Sequence, residues 1–227
     1  MENIDIKNLG VSINDYVILE SVSFVLNKGQ CIGLIGKNGA GKTTLLRAMQ
    51  GLLSHTGFSN IARMSFEERA RRVSWAPQIH NIVCDVKVQK LLEFTALKFC
   101  QNAEHAKQTI STSLASTNTV RLAEKNLSSL SSGELALVNV ARALCQNSDF
   151  ILMDEPLANL DPMQKSTLIK LMKTLTNHNK GVIFTSHDMP AVEVACNRII
   201  ALKHGALLFD KTHRIKFTAA HNQEIFD

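Results

Sequence analysis

Residues Gly36-Lys37-Asn38-Gly39-Ala40-Gly41-Lys42-Thr43 have the spacing of a loop that cradles phosphates. A triphosphate packs several negative charges into little space, and this segment supplies what that charge needs. Its glycines let the backbone turn so that successive N–H groups point inward. The helix that opens after Gly41 adds a partial positive charge. Lys42 can set an ammonium on the β- and γ-phosphate oxygens, and the Thr43 hydroxyl, followed by Thr44, can ligate Mg2+. A second acidic constellation follows downstream, where Asp154-Glu155 comes directly after the apolar run Phe150-Ile151-Leu152-Met153. In an open parallel sheet, ligands gather at the carboxyl ends of strands. There Asp154 can hold Mg2+ through water, and Glu155 can polarise an attacking water as a general base. The chemistry these groups suit is hydrolysis of a nucleoside triphosphate with Mg2+ as cofactor.

These side chains need elements to place them. Cys31-Ile32-Gly33-Leu34-Ile35 reads as a buried strand feeding the loop, and a helix is predicted from about Lys42 to Met49, closed by Gly51. Residues 4–26 alternate apolar and polar around Asn14-Asp15, the pattern of short, partly antiparallel strands. Ser65-Phe66-Glu67-Glu68 has capping-box spacing and opens a short helix, with Val73–Ala76 as the next strand, stopped at Pro77. From Val86 to about Thr117 the pattern is helical, with Leu91, Leu92, Thr95 and Phe99 on one face, and another helix begins near Ser132. Asp161-Pro162, with Gln164 at the box position, starts a helix whose buried stripe is Leu168, Leu171, Met172 and Leu175. Val182–Thr185 is a strand, Asp188 caps the helix after it, and Ile199 to Phe209 forms a hairpin turning at His204-Gly205. Strands alternating with helices imply an α/β class with a largely parallel sheet.

Composition sets limits. The chain of 227 residues is 45% hydrophobic, which suffices for one well-buried domain with a small lobe attached. A net charge of +5 without a Lys/Arg run reads as an ordinary basic surface, beside the alternative of contact with an anionic partner such as nucleotide, membrane surface or nucleic acid; of these, a nucleic-acid partner is not expected. Five cysteines without CxxC spacing indicate neither a disulfide framework nor a zinc site, and they suit a reducing compartment. Cys31 and Cys145 lie in apolar stretches and read as small core residues. The N-terminus lacks a signal pattern, and no apolar run approaches the ~20 residues of a spanning helix. A membrane role is therefore expected from outside the bilayer.

Around these groups the chain resembles the ATP-binding cassette family. Leu130-Ser131-Ser132-Gly133-Glu134 is similar to its signature motif, and Gln78 stands where its lid glutamine would be. Ala158-Asn159-Leu160-Asp161 is similar to the loop that crosses its dimer interface, and His187 matches its switch histidine. The resemblance implies a P-loop NTPase core with a largely parallel sheet, a small antiparallel β lobe and an inserted helical lobe. Residues 1–78 and 131–227 would form the core with its β lobe, and residues 79–130 the helical lobe. It implies catalytic roles for Glu155, His187 and Gln78, with Gln78 also reaching Mg2+ beside Thr43 and Asp154. Ser131, Gly133 and Asp161 would close on ATP held by a second, head-to-tail subunit, an identical copy in the simplest case. Two departures stand out: Ser132 replaces the usual Gly and adds a side chain near the γ-phosphate, and Glu134 replaces the commoner Gln. Ile13 stands by offset where an adenine-stacking aromatic is usual, with Tyr16 a substitute. The stretch Leu53–Met64 is short for the family, implying a trimmed antiparallel lobe.

A single cassette without membrane spans resembles importer motors at the cytoplasmic face of a membrane, working with permease subunits. Met64–Arg72 followed by Trp75-Ala76-Pro77-Gln78 looks like the motors of iron-chelate, haem and cobalamin importers. Ile82, Val83 and Val86 are candidates for contact with the permease, beside the alternative of ordinary lobe core. Cassettes of lipoprotein release, export or iron–sulfur assembly stay open as alternatives. A chromosome-maintenance cassette would carry long heptad inserts, which this chain lacks. A translation cassette usually pairs two copies in one chain. A regulatory module that does not hydrolyse ATP is disfavoured by the presence of Lys42, Asp154, Glu155 and His187.

Overall fold

A computed structural model describes residues 2–78, 85–212 and Ile225. The chain opens with a long antiparallel hairpin, β1 (Asn3–Ile13) and β2 (Tyr16–Asn27). Asn14 and Asp15 both adopt positive φ at its tip, the conformation of a tight two-residue turn. With β4 (Thr56–Ser59) these strands form a three-stranded sheet ordered β2-β1-β4.

The second sheet positions the chemistry. Its order is β5-β6-β7-β3-β8-β9, with β3 (Cys31–Ile35), β5 (Val73–Ala76), β6 (Phe150–Met153), β7 (Gly181–Ser186) and β8 (Arg198–Lys203) all parallel. Only β9 (Ala206–Thr212) is antiparallel, turned back on β8 through His204-Gly205. The helices return the chain between parallel strands: α1 (Lys42–Met49) after β3, α6 (Pro162–Asn177) between β6 and β7, and α7 (Met189–Ala195) between β7 and β8. All the residues of β3, β6 and β7 are buried, as expected of parallel strands covered on both faces.

Alternation along the strands splits the core in two. Ile32, Leu34, Leu152 and Ile183 face a cluster shared with β1, β2 and α1, so α1 is packed between the two sheets. Ile35, Ile151, Met153 and Phe184 face the opposite side, under α5 (Ser132–Leu144), α6 and α7. A third cluster joins α3 (Val88–Phe99) and α4 (Ala103–Ser116) to the other side of α5 through Leu92, Ile110, Leu135 and Val138.

The helical pattern expected from Val86 to Thr117 is two helices. Cys100 leaves the helical conformation, and the Asn102 side chain accepts from His105 N at 2.8 Å, which starts α4 as a new, capped helix. The buried face of α3 is Val88, Leu92 and Ala96; Leu91, Thr95 and Phe99 are half-buried flanks. Ile82, Val83 and Cys84 lie outside the described residues. Among the described residues no helix is long and apolar enough to cross a membrane.

Candidate active site

The strand-to-helix loop after β3 wraps round the Lys42 side chain. Lys42 is buried and donates to Gly36 O at 2.8 Å and Lys37 O at 3.2 Å. Burial lowers its hold on the proton, while the nearby Glu155 and Asp154 carboxylates raise it. Gly41, at φ 97°, precedes the first turn of α1; a Cβ there would come within 2.6 Å of the Leu19 side chain. The β2 strand is thus pressed against the loop at a place only glycine leaves room for.

The acidic strand end comes to the same spot. Asp154 N donates to Ala76 O at 2.9 Å, carrying the β5–β6 ladder one residue past the strand. Asp154 is buried, and one of its oxygens, Oδ1, accepts from Thr43 Oγ1 at 3.0 Å and from Thr185 Oγ1 at 2.7 Å. The chain then turns sharply: Glu155 has φ 48°, a left-handed conformation held by its N–H donating to Thr185 Oγ1 at 2.7 Å. The Glu155 carboxylate Oε2 meets His187 Nδ1 at 3.1 Å, just past the end of β7.

Asn38, Gly39, Gly41, Lys42, Thr43 and Thr44 line one side of a cleft of about 560 Å³, and Gln78, Glu155 and His187 line it from across. Ile18 and Ala158 complete it. Gly36, Lys37 and Ala40 act from behind this wall, the first two through the carbonyls that hold Lys42. For Mg2+, the donor set suits a hard cation, since a hydroxyl and a carboxylate oxygen already lie 3.0 Å apart at the cleft wall.

The signature segment lies beside this cleft. Ser131 caps α5, accepting from Glu134 N at 3.2 Å while the Glu134 carboxylate returns to Ser131 N at 3.1 Å. Arg121 pairs with Glu134 at 2.8 Å. A Cβ on Gly133 would come within 2.7 Å of Asn159 O, so glycine is what lets the start of α5 approach the loop before α6. Asp161 caps α6, accepting from Gln164 N at 2.8 Å. Ser132 is exposed and lines a smaller cavity, about 220 Å³, together with Gln78, Asp154, Glu155 and Asn159.

With this geometry in view, the comparisons with known proteins decide the family. Residues 19–158 match the sequence model of the family described as ABC transporter. The chain belongs to the ABC transporter family. It is an ATP-binding subunit of that family, an ATPase whose hydrolysis is coupled to transport. The cassette is 30% identical over 207 residues to the Nod factor export ATP-binding protein I of Burkholderia orbicola, covering 89% of this chain and 68% of that one. It is also 30% identical over 210 residues to a metal transport system ATP-binding protein of Thermotoga maritima, covering 89% and 82%. Its fold matches a metal-chelate type ABC transporter in an inward-facing conformation, with TM-score 0.82, 24% identity and coverage of 99% and 88%. CbiO1 of Clostridium perfringens, part of the CbiONQ complex, matches with TM-score 0.80, 21% identity and coverage of 93% and 89%.

One residue of the cassette's site escaped sequence reasoning. Thr185 reads as an ordinary strand residue, yet its hydroxyl joins Asp154 to the backbone of Glu155. The available signal is a hydroxyl at the carboxyl end of an otherwise apolar, fully buried strand. A partner for such a group has to be found locally.

Proposed function

We propose that the cassette works as one of two head-to-tail subunits beneath a permease, with Glu155 as the base of hydrolysis. The observation that carries this reading is the Glu155 carboxylate, held by His187 at 3.1 Å in the same cleft as Lys42 and Thr43. Lys42 exchanges its loop carbonyls for phosphate oxygens of ATP and meets their charge. Glu155 takes a proton from the water whose oxygen attacks the γ-phosphorus; the bond to the β-phosphate oxygen breaks, and ADP and phosphate leave. His187 orients Glu155. Thr43, Asp154 and Gln78 would hold Mg2+, which when bound supplies positive charge to the β- and γ-phosphate oxygens. Ser131 and Gly133, at the N-terminus of α5, and Asp161, the cap of α6, serve the opposite subunit's ATP, the helix end offering its partial positive charge to phosphate.

For the cargo we favour import of a metal chelate, haem or cobalamin. The support is the segment Met64–Gln78, which forms the capped α2 (Phe66–Arg72) running straight into β5. Export is the second reading, favoured by the name of the Burkholderia relative. The permease would sit over Phe66 of α2 and Phe94 and Leu97 of α3, large apolar side chains that are 59–64% exposed. Lys98 lies 5.1 Å from the Phe66 ring centre and ties the two helices into one patch.

The decisive experiment is Glu155→Gln. It should keep ATP bound, lose most hydrolysis and, on size exclusion with ATP, run as a trapped dimer. Wild-type turnover in that variant would remove Glu155 as the base. A variant that stays monomeric with ATP bound would remove the head-to-tail assembly. Metal-chelate uptake by cells that carry or lack this chain separates import from export.

A further inference from the structure

A groove of about 410 Å³ lies between α4, the end of α5 and α6. It shares no lining residue with the nucleotide cleft. Its floor is apolar, with Leu144, Ile151, Leu171 and Leu175. Its rim carries exposed, uncharged hydrogen-bonding side chains, Gln108 and Thr112 on α4 and Thr174 on α6. Among the described residues the titratable groups lining it are Lys180 and His105, and no carboxylate does so.

Lys180 is fixed in place. Its ammonium donates to Asn147 Oδ1 at 3.1 Å and to Ser148 O at 2.6 Å, and an ammonium has a third donor to give. Burial lowers its hold on the proton and Lys28 adds to this, with Asp149 pulling the other way. An apolar concavity with one oriented cation and a polar rim is the chemistry of a site for a small organic anion.

We propose that this groove is a second ligand site, which takes a small amphipathic monocarboxylate with its acid group on Lys180 and its apolar body against Leu171 and Leu175. Such a ligand spans from α4 to α6. It braces the helices that pack on α5 against the helix that follows the acidic strand end.

The test is calorimetric titration of the full chain with decanoate, at saturating Mg2+ and ATP, with decanol as the uncharged control. Decanoate should bind one per chain, with the same affinity whether or not the nucleotide is present. Lys180→Gln keeps a donor for Ser148 O but removes the charge; it should weaken decanoate about tenfold and leave decanol unchanged. Thr112→Trp, at an exposed position, should block both ligands without lowering the melting temperature. It tests the groove even if Lys180→Gln folds poorly. The inference is overturned by any of three results: no saturable heat with decanoate, competition by Mg2+ and ATP, or undiminished decanoate binding in Thr112→Trp.

Discussion

Replacing Thr185 by Val keeps shape and burial while removing one hydroxyl, which makes it a clean probe of how the carboxylates of Asp154 and Glu155 are held. The hydroxyl is fully buried; it donates to Asp154 Oδ1 at 2.7 Å and accepts from Glu155 N at the same distance. The bond to the carboxylate is of the charge-assisted kind, and the Glu155 amide would be left without an acceptor. Together these losses come to about 2–4 kcal/mol, after Thr43 keeps its own bond to Asp154. In a domain of this size that corresponds to a fall in melting temperature of roughly 5–15 °C. Urea unfolding of Thr185→Val beside Thr185→Ser measures it, since Ser keeps the hydroxyl and should stay close to wild type. Glu155 depends on this anchor to hold its left-handed turn, so kcat for ATP should drop about ten- to a hundredfold. ATP affinity, which rests on the loop of residues 36–43, should change little. A Val variant within about 0.5 kcal/mol of wild type, with normal kcat, would refute the anchoring role.

Three further outcomes follow from the same geometry. Lys42→Ala should weaken ATP about ten- to a hundredfold in a binding titration, because among the described residues no other ammonium lines the cleft. Tyr16→Ala, at a side chain 76% exposed beside Ile13 at the hairpin tip, should weaken ATP about five- to tenfold if its ring stacks on adenine; GTP and ATP affinities compared in the same assay report whether the base is sensed. Asp149→Asn should destabilise the chain in a pH-dependent way. Burial pushes the Asp149 carboxyl up, but Arg72 at 2.7 Å and Lys28 at 3.1 Å outweigh it and hold it below its ordinary range. A depressed carboxyl gives stability above its unfolded value and loses it as the pH falls through the folded one. The gap in melting temperature to wild type should thus be full at neutral pH and close below about pH 4.

Much of this site was legible in the sequence because its chemistry is local. The phosphate loop is a contiguous segment with a fixed spacing, and the caps at Ser65, Ser131, Asp161 and Asp188 each rest on a partner three residues away. The parallel sheet was legible for the same reason, since its strands are short apolar runs bounded by turn residues. What stayed hidden depends on pairs far apart in the chain. Thr185 meets Asp154 only because β6 and β7 lie side by side in register. The break between α3 and α4 hides inside a continuous helical pattern, and only the Asn102 cap marks it. Nor does periodicity reveal that α3 packs on Val88, Leu92 and Ala96 while Leu91 and Phe99 flank that face.

The helix α5 carries a last consequence. Its Asn139 amide grips Pro77 O at 2.6 Å, and its Arg142 guanidinium holds Trp75 O at 2.8 Å and Asn139 Oδ1 at 3.1 Å. The rod that bears Ser131 and Gly133 at its tip is therefore bolted, two turns further on, to the backbone immediately ahead of Gln78. Because the clamp ties α5 to backbone on β5 and just beyond it, the start of α5 and the segment that leads to Gln78 are held as one piece, and neither can tilt without breaking these bonds.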